Sequence, residues 1–290
     1  MGDAPKVASS FQYLTMEPTA ALRPWVQQVF FARGEPGYVR ETVVPMGHPT
    51  LLVNLGQPFT RKIDGGVLQP VSGGVLLFQQ TRAAEHVFTA ETHVVGAALV
   101  TDGAWPWMNA DVSPYTDGMR ALAALDPARW PGAEVQLRAQ SADGEACMAA
   151  LDGFLQTRIW PAPDRAVRAA LAALQADPRR GIAELSRAAG LSHKQLIARF
   201  KCAVGATPKT LAMLLRMSAI MTSIAGAARP DWATVAADAG YADQAHFART
   251  FRRFNGLTPG EYGRRRRWAH AAVGLEDASG FFVPTPEEST

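Results

Sequence analysis

A pattern that occurs twice constrains this chain more than any of its totals. AGLSHKQLIARFKCAVGATPKTL begins at Ala189, and AGYADQAHFARTFRRFNGLTPGEY begins at Ala239. Both run Ala-Gly, an apolar residue, a polar helix start, an apolar residue, Arg, Phe, a basic residue, then Gly and Thr-Pro. Gly190 to Gly205 spans 15 positions and Gly240 to Gly256 spans 16, so the second copy carries one extra residue. A short amphipathic stretch precedes each copy, IAELSRAAG from Ile182 and WATVAADAG from Trp232. Short helix, glycine-containing turn, second helix is the organisation of a helix-turn-helix. Two occurrences are far more specific than one.

Local chemistry supports each boundary. Gly190 and Gly240 stand where the first helix of each pair needs a left-handed residue, which glycine adopts without a Cβ clash. Ser192 with Gln195 forms a capping box for the helix that follows, and Asp243 can cap its counterpart. Leu196 and Phe200 share one helix face, as do Phe247 and Phe251, and these pairs fix each second helix to a small core. Gly205 and Gly256 end those helices. Thr207-Pro208 and Thr258-Pro259 start new ones, and Thr258 with Glu261 makes another capping box. From Thr207 to Ala227, Leu211, Leu214, Leu215, Ile220, Met221 and Ile224 recur at helical intervals. A helix of that length would be about 30 Å long, close to the ~34 Å between successive major grooves on one face of DNA.

Residues from about Asp164 to Arg267 resemble the DNA-binding domain of the AraC/XylS family of transcription regulators. The resemblance rests on A-x-x-A-G-Y-x-D-Q-x-H-F-x-R-x-F-R-R-x-x-G-x-T-P-x-x-Y, filled from Ala236 to Tyr262, and on the first copy beside it. It implies two helix-turn-helix units joined by one long helix, each placing its second helix in a major groove. By the same resemblance the base-facing positions of the second unit are Gln244, Ala245, Ala248 and Arg249. Gln pairs with adenine and Arg with guanine or a phosphate, while Ala offers only close approach or a thymine-methyl contact. Asp243 sits at the start of that helix, and Arg252-Arg253 are better suited to phosphates. In the first unit the candidates are Ser192, His193, Lys194, Ile197, Ala198 and Arg199, a weaker set for reading sequence. Arg264-Arg265-Arg266-Arg267 could track the phosphate backbone, although charge runs are usually solvated faces.

Charge agrees with that placement. The net of +3 divides into −5 for residues 1–164, +12 for 165–270 and −4 for 271–290. A basic segment of domain size is the expected footprint of a surface for polyanions. No uninterrupted apolar run reaches the ~18 residues of a membrane span, and the start MGDAPKVASSFQY lacks the pattern of a secretory signal. Two well-separated cysteines, Cys147 and Cys202, suggest a reducing compartment, so the expected location is cytoplasmic.

The expected fold class is α+β. The first part, 1–160, reads as a small β-barrel or sandwich with helices after it, cupin-like by the family resemblance. The second, 161–270, is the all-α double helix-turn-helix domain, and 271–290 is an acidic tail in which Phe281-Phe282-Val283 suggests docking. Strands are expected in WVQQVFFA from Trp25, YVRETVV from Tyr38, TLLVNLG from Thr50, GVLLFQQ from Gly74 and HVVGAALV from His93. Breaks are expected at Gly34-Glu35-Pro36-Gly37, Asp64-Gly65-Gly66 and Ser72-Gly73-Gly74. Candidates for an effector pocket are Trp25, His48, His86, Trp105 and Trp107, with core packing the alternative for the aromatics. Met148, Leu151, Phe154 and Leu155 form a stripe that suits either a dimer interface or packing on the barrel.

His86 and His93, seven apart, would lie on opposite faces of a continuous strand, and no His-x-His stands nearby. Neither a metal, a cofactor nor a catalytic residue is expected. Related domains fused to DNA alkyl-repair modules use reactive cysteines, but Cys147 and Cys202 have no Pro-Cys-His or paired arrangement. The resulting expectation is a transcription regulator with double-stranded DNA as partner, modulated by a small molecule and dimeric, with RNA polymerase as a further contact and no membrane association. Two other classes stay open: an enzyme with a catalytic barrel and an auxiliary DNA-binding domain, and a barrel that only dimerises or binds a partner protein.

Overall fold

The computed structural model describes residues 11–63, 66–225, 227, 229–273 and 282–286. Its first part is an antiparallel sheet of β1 (Gln12–Met16), β2 (Val26–Gly34), β3 (Arg40–Val43), β4 (Thr50–Ile63), β5 (Gln69–Leu77), β6 (Ala84–Val87) and β7 (Thr92–Leu99). After α1 (Trp105–Met108), the short β8 (Met119–Ala121) pairs with β5. The long β4 organises the curl. Its first half pairs with β7 and its second half with β6, while β5 runs along its other edge across an irregularity between Asn54 and Phe59. With β9 (Phe282–Thr285) from the tail, the path β1-β2-β7-β4-β6-β3-β9 is open at both ends, so the sheet is a half-barrel and does not close.

Alternation along the strands sorts side chains onto two faces. Phe31, Leu51, Val53, Leu76 and Val95 pack into one core, which α2 (Leu122–Leu125), α3 (Trp130–Ala139) and α4 (Gly144–Gln156) cover. Their neighbours Ala32, Leu52, Val75, Leu77 and Val94 face the other way and form the concave core with Phe59, Val71 and Phe88. The five expected strands are all present. The expected break at Ser72-Gly73-Gly74 is absent, because β5 runs through it. Gly74 lies beneath the Trp130 indole, and a Cβ there would stand 2.1 Å from Trp130 Cζ2. The glycine serves that close approach, which a local pattern cannot tell from a turn.

The second part contains α5 (Arg165–Ala176), α6 (Ile182–Ala189), α7 (His193–Val204), α8 (Pro208–Ile224), α9 (Trp232–Asp238), α10 (Gln244–Asn255) and α11 (Pro259–Val273). One core joins α5, α6, α7 and the start of α8 through Val167, Leu171, Leu185, Leu196, Phe200 and Leu211. Another joins the rest of α8 to α9, α10 and α11 through Met217, Met221, Ala236, Phe247, Phe251 and Tyr262. The connecting helix α8 has 17 residues, about 26 Å at 1.5 Å per residue. It stops at Ile224, short of the expected Ala227.

The docking suggested by Phe281-Phe282-Val283 is seen at Phe282 and Val283, Phe281 lying outside the described residues. Phe282–Thr285 forms β9, which pairs antiparallel with β3, Thr42 facing Val283. Val283 is fully buried in the same core as Phe251 and Val44. One four-residue strand thus belongs to the half-barrel by hydrogen bonding and to the last helical unit by packing. A charge there would be both buried and unpaired. Val283→Asp is therefore expected to lower stability by about 3 kcal/mol, measured by urea unfolding of the full chain.

Candidate nucleic-acid interface

The two turns have the expected local chemistry. Gly190 and Gly240 take φ of 65° and 76°, the left-handed region. The Ser192 hydroxyl accepts from Gln195 N at 3.3 Å, and Gln195 Oε1 accepts from Ser192 N at 3.1 Å. Asp243 Oδ1 accepts from His246 N at 2.6 Å. Leu196, Phe200, Phe247 and Phe251 are all buried. Because these anchors fix each helix rotation, the opposite face is set as well. On α7 that face exposes His193, Lys194, Ile197, Ala198 and Arg199; on α10 it exposes Gln244, Ala245, Arg249 and Arg252, with Ala248 half-buried.

These residues differ in what they can offer. Among the described residues, Lys194, Arg249 and Arg252 form no salt bridge, so their charges are available to a polyanion. Ile197 is an exposed aliphatic side chain on a face otherwise polar. Ser192 and Asp243 carry out capping, and their side-chain oxygens are engaged there. Arg199, a candidate of the first unit, is engaged within the protein. Its Nη2 and Nε lie 2.6 and 2.9 Å from Asp164 Oδ2, and Asp164 in turn caps α5 by accepting from Ala166 N and Val167 N. The pair ties α7 to the start of its own domain.

The arginine run is likewise divided. Arg265 Nη1 donates to Thr42 Oγ1 at 3.3 Å and to Thr285 Oγ1 at 2.9 Å. Arg266 Nη2 donates to Ala225 O at 3.3 Å. Both hold the tail strand or the end of α8, while Arg264 and Arg267 are exposed. Glu261, which opens α11, is held below the usual carboxylate range by its hydrogen bonds from Thr258.

Three contacts were not legible in local sequence. Arg179, ahead of α6, donates from Nη2 to Asp238 O at 3.3 Å and so links the two helix-turn-helix units directly. Arg168 pairs with Asp102 and donates to Pro24 O at 2.9 Å. Val112 N donates to Cys202 O at 3.0 Å. Arg168 thus ties α5, and Cys202 the C-terminal part of α7, to the first part of the chain, while the N-terminal residues of α7, where a reading helix touches bases, stay exposed. Each joins residues too distant in sequence for a periodic signal.

The expected effector set does not form one pocket. Trp25 stacks on Trp160 with centroids 5.5 Å apart, and the Arg158 guanidinium covers Trp107 at 3.7 Å. With Trp105 these rings are packed in the helix-covered core. His86 lies in the concave core, beside Phe59 at 5.1 Å. His48 sits on the β3–β4 connection, its Nδ1 3.1 Å from Pro49 O, and burial lowers its pKa. The stripe Met148, Leu151, Phe154 and Leu155 is buried against the chain's own sheet. That settles its two readings in favour of packing, since an amphipathic helix shows that a face is covered but not by what.

Residues 185–265 match a family model described as a helix-turn-helix domain, of the AraC type, and residues 14–119 match one described as a domain of unknown function, DUF6597. Comparison with curated proteins gave no match. Among solved structures, the chain is similar to ToxT from Vibrio cholerae in its P21 form, with 9% identity, 88% of this chain and 98% of that one covered, and a TM-score of 0.46. An unsaturated-fatty-acid-bound ToxT from strain SCE256 gives 12% identity, coverage of 95% and 99%, and a TM-score of 0.46. ToxT from strain O395 bound to (E)-4-(8-methylnaphthalen-1-yl)but-3-enoic acid gives 11%, 88%, 98% and 0.46. Among the described residues, no helix is long and apolar enough to cross a membrane.

Proposed function

We propose that this chain, whose C-terminal part carries an AraC-type helix-turn-helix domain, is a sequence-specific DNA-binding transcription regulator. The observation that carries the reading is the exposed edge of α7 and α10. Two helices of similar sequence bury their aromatic or aliphatic anchors and leave Lys194, Arg249 and Arg252 exposed without a salt bridge among the described residues. Gln244 and Arg249 read base edges, Ala245 and Ala248 allow close approach, and Arg252 meets phosphate. In the first unit Lys194 and Ile197 make the contacts, supported by His193 and Ala198. Ser192 and Asp243 orient the helix starts. The rod α8 sets the two reading helices about one helical turn of DNA apart, with the reading helices themselves adding to its length.

The half-barrel senses a small molecule and biases how the reading helices are presented. The protein works in the cytoplasm as a homodimer and meets RNA polymerase at the promoters it controls. Arg249→Ala is expected to weaken binding to the selected site by about 1–3 kcal/mol and to relax preference at one base position. Selection of bound genomic fragments, followed by mobility shifts of wild type and variant, checks both effects. Equal loss on every sequence would make Arg249 a phosphate contact.

A further inference from the structure

The tail strand engages the arginine run that the helical half turns toward polyanions. β9 pairs with β3, and its Val283 packs beside Phe251 and Val44 in the core of the second helix-turn-helix unit. From α11, Arg265 Nη1 reaches both strands, donating to Thr42 Oγ1 at 3.3 Å and to Thr285 Oγ1 at 2.9 Å. Arg266 Nη1 donates to Phe282 O at 3.5 Å, while its Nη2 holds Ala225 O. The tail thus occupies the middle of Arg264-Arg265-Arg266-Arg267, whose outer two members are exposed. Its own hold is slight. β9 has four residues, lies at the end of the sheet and includes Pro284, which has no N–H to donate. Short terminal strands open locally at far lower cost than the whole fold. The hydroxyls that hold Arg265 are neutral, and a guanidinium bonds a phosphate about twice as strongly as a neutral acceptor. Residues 271–290 carry four carboxylates and no Lys or Arg. Phosphates of DNA therefore repel the segment that holds the arginine and attract the arginine itself.

We propose that β9 is an autoinhibitory strap: docked on β3 it keeps Arg265 from DNA, and its release supplies one more phosphate contact. The inference rests on the DNA-binding reading given above and adds a regulated contact to it. By linkage, the factor that strap opening adds to DNA affinity is the factor that bound DNA adds to strap opening. One phosphate contact is worth on the order of tenfold at 50 mM salt. Opening stays rare in the wild type even so, and its salt slope reports the cations that are already free.

Hydrogen–deuterium exchange of the full wild-type chain, with and without a saturating selected DNA fragment at 50 mM salt, reads this competition. The amides of Phe282, Val283 and Thr285 are expected to exchange about tenfold faster on DNA, while those of α10 slow. Val283→Asp in the full chain expels the strand, because its charge has no partner in the core. Despite its lower stability it is expected to bind DNA more tightly at 50 mM salt, with the slope of log affinity against log salt steeper by about 0.9. Adding Arg265→Gln to Val283→Asp returns the slope to that of wild type, and Arg265→Gln alone leaves it unchanged. Strap amides as protected on DNA as off it overturn the proposal, and so does Val283→Asp with the wild-type slope. A wild type that binds no DNA removes the DNA-binding reading and the strap with it; normal binding over an unmoved strap overturns the strap alone.

Discussion

Raising salt from 50 to 200 mM is expected to weaken DNA binding by this chain roughly a thousandfold. The expectation comes from counterion release, in which each phosphate neutralised contributes about 0.9 to the slope of log affinity against log salt. Lys194, Arg249, Arg252, Arg253, Arg264 and Arg267 are exposed in the helical half and form no salt bridge among the described residues. Six such contacts give a slope near −5 and, over a fourfold change in salt, about three orders of magnitude. Arg199 is left out because Asp164 holds it, and Arg265 and Arg266 because they bond Thr42, Thr285 and Ala225. Fluorescence anisotropy across a salt series measures the slope. A slope shallower than about −3 would mean that most of the basic face never reaches phosphate.

Phe251→Ala is the substitution expected to do most damage. The ring is fully buried and stands 5.5 to 5.7 Å from the rings of Phe247, Trp232 and Tyr262, so it joins α9, α10 and α11 at one point. Removing it leaves a cavity the aromatic neighbours cannot fill without leaving their rotamers, at about 3–5 kcal/mol. Since the same ring fixes the rotation of α10, site-specific affinity should fall with stability, while the first unit keeps its own core of Leu196, Phe200 and Leu211. Urea unfolding and mobility shifts on one preparation check the two effects. A loss below about 1 kcal/mol would show that the second core does not depend on this ring.

Much of the helical half was legible because its signals are local. A cap, a left-handed glycine and an aromatic pair four residues apart each act within one or two turns, and the sequence repeats the set. The half-barrel was legible as strands but not as a sheet. Nothing in the neighbourhood of Gly73-Gly74 announces Trp130 above it, and nothing near Thr42 announces Val283 opposite. The row Glu41, His86 and Arg61 was equally hidden, since register alone brings the three together. An arginine on an alternating strand gives no local sign of whether it faces water or core. The helix α4 showed the same limit: its apolar stripe was plain, but its partner was the chain's own sheet.

Hydroxyl-radical footprinting of the full chain on a selected genomic fragment tests the central claim most directly. The account predicts two protected backbone patches per protomer, about ten base pairs apart on one face of the duplex, with the distal one lost in Phe251→Ala. A single patch per protomer, or two whose spacing does not follow the helical turn, would contradict it.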